Sequence, residues 1–137
     1  MTTPELETPP PSNGPAPGLR RLVVKVTCGV EAPERFSQAI TVAAVAVAGG
    51  ADVSLWLTGE ATWLATPGHA ETVELPYAAP LADLRDALLA AATVTVCSQC
   101  AARRDLTVAD LLPGARISGA ASFVEEVLAD GVQALVY

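Results

Sequence analysis

Soft metal ligands are scarce in this 137-residue chain, which has three cysteines and one histidine, and aromatic residues make up only 4% of it. An odd cysteine count, with no basic start followed by an apolar run, argues against an exported protein held by disulfides. The expected location is therefore the reducing cytoplasm. No uninterrupted apolar run reaches the ~18 to 20 residues of a bilayer span. Ile40 to Ala48 comes nearest, so no membrane partner is expected. Basic residues are outnumbered eight to fifteen, giving a net charge of −7, which disfavours nucleic acid as a partner. A G-x-S-x-G elbow, a Walker loop and a G-x-G-x-x-G fingerprint are all missing, and no cofactor is expected.

Residues 1–18 hold six of the eleven prolines, and Leu6 is their only large apolar residue after Met1. Such a segment cannot bury enough surface to offset its ordering entropy and reads as a disordered, proline-rich tail. Residues 19–137 are rich in Ala, Val and Leu, long enough to bury a real core, and carry eight basic against thirteen acidic residues. They are expected to form one α/β domain.

Leu22–Thr27 is a β-rich run ending at Cys28-Gly29. Pro33 and Glu34 open a helix that runs to Gly49-Gly50, proline in the first turn and an acid near the positive end of the dipole. Asp52–Leu57 reads as a second strand, followed by Thr58-Gly59-Glu60-Ala61 and a short helical piece to Ala65. Thr66–Tyr77, with His69, reads as a loop. Pro80–Ala92 is a helix with Leu81, Leu84 and Leu88 on one stripe and Asp83, Arg85 and Asp86 mostly outside it. A strand follows at Thr93–Cys97. Thr107 to Asp110 has the pattern of a capping box, Ala115–Ser118 of a short strand, and Gly119–Asp130 of a helix with Phe123, Val127 and Leu128 inward and Glu125 and Glu126 solvated. Val132–Val136 is the fifth strand. Apolar strands alternating with helices predict a three-layer α/β/α sandwich around a five-stranded, mainly parallel sheet covered on both faces. Right-handed crossovers gather the carboxyl ends of the strands, and with them Cys28, Cys97 and the Gly59-Glu60 turn, on the edge where ligands and chemistry collect.

The segment Thr93-Val94-Thr95-Val96-Cys97-Ser98-Gln99-Cys100-Ala101-Ala102-Arg103-Arg104 carries the chemistry. Alternating β-branched residues favour a strand and Ala-Ala-Arg-Arg a helix, so the change falls at or just after Cys97. Unpaired N–H groups and positive charge at such a junction favour a thiolate, with Arg103 and Arg104 as the cations. Cys-x-x-Cys here has three chemical uses: a dithiol redox pair, half of a metal site, or a carrier of sulfane sulfur as a persulfide. Two plainly buried cysteines are the structural alternative. Cys28, Cys97, Cys100 and His69 together would supply the four ligands of a zinc site. Glu60 is a candidate acid or base, or simply an acid at a helix start.

Cys97-Ser98-Gln99-Cys100-Ala101-Ala102-Arg103-Arg104-Asp105-Leu106 resembles the Cys-x-x-Cys-x-x-x-Arg-Gly-Leu segment of DsrE-like proteins, relatives of the DsrE, DsrF and TusD sulfur-relay subunits. Val26 to Arg35 resembles their first-strand exit, Val53 to Leu64 their second strand and turn, and Asp130 to Tyr137 their last strand. The resemblance implies a homo-oligomer, a trimer or hexamer, in which Cys97 takes sulfur as a persulfide from a donor protein and passes it to an acceptor, a possible sulfurtransferase. It matches Cys100 to a second cysteine that only some members have, while the relay pattern assigns no role to Cys28. Asp105 stands where the family has glycine, and Asp tolerates a left-handed turn better than most residues. The alternative is a non-enzymatic oligomeric module holding zinc or a small ligand through Cys28, Cys97 and Cys100.

Overall fold

The computed structural model describes Gly18 and residues 20–137; the expected disordered tail lies, apart from Gly18, outside the described residues. Five strands form one sheet: β1 (Arg21–Val26), β2 (Asp52–Leu57), β3 (Thr93–Cys97), β4 (Ala115–Ser118) and β5 (Val132–Val136). Their spatial order is β4-β3-β2-β1-β5, and every pairing is parallel. The α-helices are α1 (Pro33–Ala48), α2 (Leu81–Ala91), α3 (Ser98–Arg103) and α4 (Ala120–Val127), and 3₁₀ turns occupy Gly59–Ala65, Ala70–Thr72 and Val108–Asp110. Thr107 and Asp110 form the capping box that their spacing predicts.

The connection order decides which face each helix covers. From β1 through β4 the chain steps in one direction across the sheet, so right-handed crossovers place α1, α2 and α3 on the same side. The jump from β4 back to β5 reverses direction and places α4 on the other. The first side holds the core: Val24 and Val26, Val53, Leu55 and Leu57, and Val94 and Val96 alternate inward against Phe36, Ile40, Leu64, Leu81 and Leu88. Burying each of the larger side chains is worth about 1.5–3 kcal/mol, which holds a valine-rich α1 in a helix its propensities would not sustain.

The second side differs from the expected apolar cover. Strand alternation presents Arg21, Lys25, Ser54, Trp56, Thr93, Thr95 and Arg116 there, and the eight-residue α4 has no buried residue of its own. Phe123 and Val127 are half-buried as expected, but Leu128 is 76% exposed because the helix ends at Val127. Glu126, expected in solvent, is half-buried because it accepts a hydrogen bond from Trp56 Nε1 at 3.1 Å. Arg85 also departs from its expected outward position: it is only 7% exposed, turned back onto Glu71 by two hydrogen bonds.

Candidate functional site

The site is built where β3 ends. Val94 and Val96 are fixed in the core, so the strand's two-residue period puts Thr93, Thr95 and Cys97 on the α4 face. Cys97 keeps an extended backbone (φ −60, ψ 128) as the residue before α3, and its side chain is half-buried. Burial pushes its thiol up. The backbone N–H of Cys100, the Cys100 thiol, the N–H of Gln99 and the charge of Lys25 more than offset this and hold it below the ordinary cysteine value. Those N–H groups face the sulfur without closing a helix-cap hydrogen bond to it.

Cys100, one turn on, is buried, with its thiol among the groups that act on Cys97. Its Sγ accepts the N–H of Gly59 at 3.2 Å, which ties α3 to the turn after β2. Arg104 donates to the Cys100 carbonyl at 3.0 Å and to Glu60 Oε1 at 2.9 Å. Glu60 and Arg104 therefore clamp the two segments that carry the thiol environment, and neither cation of the Arg103-Arg104 pair is among the groups that lower the Cys97 thiol. Arg103 is exposed in the last turn of α3. Asp105 adopts the left-handed conformation, φ 54, that ends this helix.

Cys28 sits at the carboxyl end of β1, but it is sealed in the core. Burial pushes its thiol up, with Arg35 opposing and Glu31 assisting, in the opposite direction to Cys97. The next residue is closely covered: a Cβ on Gly29 would lie 2.7 Å from the Glu60 carbonyl oxygen. His69 begins the Ala70–Thr72 turn, which Glu71 ties to α2 through Arg85. Among the described residues no group of three or more His, Cys, Asp and Glu side chains is arranged to hold a metal. The four-ligand convergence of Cys28, Cys97, Cys100 and His69 is thus not formed, because Cys28 is sealed in the core and the turn that follows His69 is fastened to α2.

Lys25 is the functional residue that sequence reasoning missed. It lies on β1, in register with Trp56 and, through it, Thr95, on the same face as Cys97. Its ammonium stands 4.7 Å from the centre of the Phe123 ring, and Trp56 meets the same ring edge-on with centroids 5.4 Å apart. The signal in the sequence was the chain's one lysine, set among the valines of the first strand.

A parallel five-stranded sheet with a strand-end cysteine before a short helix defines a class of α/β protein. The chain belongs to the DsrE/DsrF-like family, whose model matches residues 21–136. Among solved structures it is similar to the ychN protein from E. coli, at TM-score 0.67 and 16% identity over 86% of this chain and 100% of that one. It is also similar to MTH1491, a protein of unknown function from Methanobacterium thermoautotrophicum, at TM-score 0.64 and 12% identity over 86% of this chain and 99% of that one. No curated protein matches the chain.

Proposed function

We propose that this protein is a cytoplasmic sulfur-relay component in which Cys97 accepts sulfane sulfur from a donor and delivers it to a partner thiol. Family membership supports sulfur relay as the general role. The observation that carries the assignment to Cys97 is that its half-exposed thiol is held below the ordinary value while the buried Cys28 is pushed above it. In the forward step the Cys97 thiolate attacks the outer sulfur of a donor R–S–SH. A new S–S bond forms at Cys97, the donor S–S bond breaks, and the electron pair leaves on the donor thiolate, so one thiolate enters and one departs. An acceptor thiolate removes the sulfur by the same exchange. Alternatively, the Cys100 thiolate attacks Cys97 Sγ, forming a Cys97–Cys100 disulfide and expelling HS⁻.

Arg104 and Glu60 act as positioning residues through the Cys100 carbonyl and the Gly59 turn, and exposed Arg103 offers charge to an anionic donor. We also propose a homo-oligomer, a trimer or hexamer, supported by the uncovered apolar side chains of Val124 on α4, Leu128 just past its end, and Leu135 and Val136 on edge strand β5. A monomer in sedimentation analysis would overturn that part. Incubation with a persulfidated donor followed by mass spectrometry tests the relay: the peptide containing Cys97 gains one sulfur atom, and the Cys97→Ser protein gains none. Equal gain by that variant would show that the sulfur goes elsewhere.

A further inference from the structure

The polar side of the sheet holds a cavity of about 300 Å³ at the amino-terminal ends of the strands, remote from the strand end that carries Cys97. Its lining includes Ser54 and Thr93 from the sheet and, around them, Arg21 and Asp52 from β1 and β2 and Arg116 and Glu126 from β4 and α4. Ser54 is only 8% exposed, and its Oγ is buried without a hydrogen-bond partner. A buried hydroxyl left unpaired is costly, and a ligand group bound in the cavity would supply the missing partner.

The charged groups around that hydroxyl are only partly used. Arg21 Nε donates to Asp52 Oδ2 at 3.1 Å, and no other partner among the described residues takes the two terminal nitrogens of Arg21 or Asp52 Oδ1. Arg116 Nε donates to Thr95 Oγ1 at 2.7 Å, while its Nη2 stays 3.9 Å from Glu126 Oε2, too far for a hydrogen bond. Glu126 Oε2 is taken by Trp56 Nε1, which leaves Oε1 open. Two guanidinium forks and two carboxylate oxygens thus border one small cavity whose formal charge is zero. A simple anion there is attracted by the arginines and repelled by both acids, and a simple cation meets the reverse. A ligand carrying both charges a short distance apart satisfies both sets at once.

We propose that this cavity is a binding site for a small zwitterion of the α-amino acid class, its carboxylate on an arginine fork and the Ser54 hydroxyl, its ammonium on Asp52 or Glu126. The site is independent of the thiol chemistry. Isothermal titration of the full chain with each of the twenty L-α-amino acids, with acetate and with methylammonium tests it. At least one amino acid binds saturably, and acetate and methylammonium do not. For that amino acid, Arg116→Met and Asp52→Asn each weaken binding by about tenfold or more, the loss expected for a charge-assisted hydrogen bond. Ser54→Ala weakens binding too but melts no lower than wild type, since it removes an unpaired buried hydroxyl; this separates loss of the site from loss of the fold. Cys97→Ser binds like wild type. Saturation by none of the twenty, binding of acetate or methylammonium as tight as that of the amino acid, or unchanged affinity in Arg116→Met and Asp52→Asn together would overturn the proposal.

Discussion

Gly59 donates its backbone N–H to Cys100 Sγ across 3.2 Å while its own α-carbon is pressed against the exit of β1, so that a Cβ there would lie 2.9 Å from the Thr27 carbonyl oxygen. One residue thus couples the turn after β2 to both the first strand and the second thiol. Its φ of 55 is a conformation that side-chain-bearing residues adopt only with strain.

Gly59→Ala meets both obstacles at once. The left-handed backbone and the carbonyl contact together destabilise the fold by about 1–3 kcal/mol. As the turn shifts to relieve them, the N–H leaves Cys100 Sγ. Urea denaturation reads the first effect, and peptide-resolved alkylation at fixed pH reads the second as faster labelling of Cys100. A wild-type denaturation midpoint would show that the turn yields freely and that the close approach is not a constraint.

Arg85 and Glu71 give the acid side of the stability curve a definite sign. The hydrogen bond from Arg85, foremost among the causes, holds the Glu71 carboxyl below the ordinary carboxylate range. A depressed folded pKa adds stability that is complete above the unfolded value and is lost as pH falls through the folded one. Glu71 is half-exposed, so solvent screens the pair and the contribution is modest. Glu71→Gln flattens the acid limb of melting temperature against pH and also lowers the melting temperature at neutral pH, because it removes one of the two carboxylates that pair with the buried guanidinium and leaves it to Asp86, whose Oδ1 accepts from Arg85 Nε at 3.0 Å. Adding Arg85→Met removes that charge and recovers part of the loss. An acid limb of unchanged slope in Glu71→Gln would assign the limb to other carboxylates.

The strand and helix order was legible because its signals are local. Pro33 and Gly49-Gly50 bracket α1, alternating valines mark β1 and β3, and the change from β-branched residues to Ala-Ala-Arg-Arg puts Cys97 at a strand end whatever the rest of the chain does. The contents of the second sheet face were not legible, because they follow from topology. Only the strand order sends α4 alone to that side and lines up Lys25, Trp56 and Thr95 across three strands. The same holds for Arg85, whose burial depends on a carboxylate fourteen residues earlier in a loop without periodicity. Proximity in sequence favoured Arg103 and Arg104 as thiolate partners. Register favours Lys25, which lies seventy-two residues before Cys97.

Lys25→Met should therefore raise the pKa of Cys97. The lysine stands on the α4 face of β1, its charge half-buried over Phe123, and two strands away Cys97 occupies the same face two residues beyond Thr95, the residue in line with Lys25. Burial pushes the Cys97 thiol up, and the N–H of Cys100, the Cys100 thiol, the N–H of Gln99 and then Lys25 pull it down. Removing the last of these leaves the N–H groups and the Cys100 thiol in place, so the alkylation profile of Cys97 keeps its shape and its midpoint moves to higher pH. The linked stability has a fixed direction: with the folded pKa depressed, thiolate formation stabilises the fold as pH rises through that value, and the gain is lost as pH falls back through it. Lys25→Met narrows the pH window of that gain. Lys25→Arg keeps the charge and the stacking on Phe123, and so retains most of the wild-type profile. Iodoacetamide labelling across a pH series, followed peptide by peptide, separates Cys97 from Cys28 and Cys100. Superimposable Cys97 profiles for Lys25→Met and wild type would mean that the ammonium does not reach the sulfur, and the depressed value would then rest on the N–H groups and thiol of α3 alone.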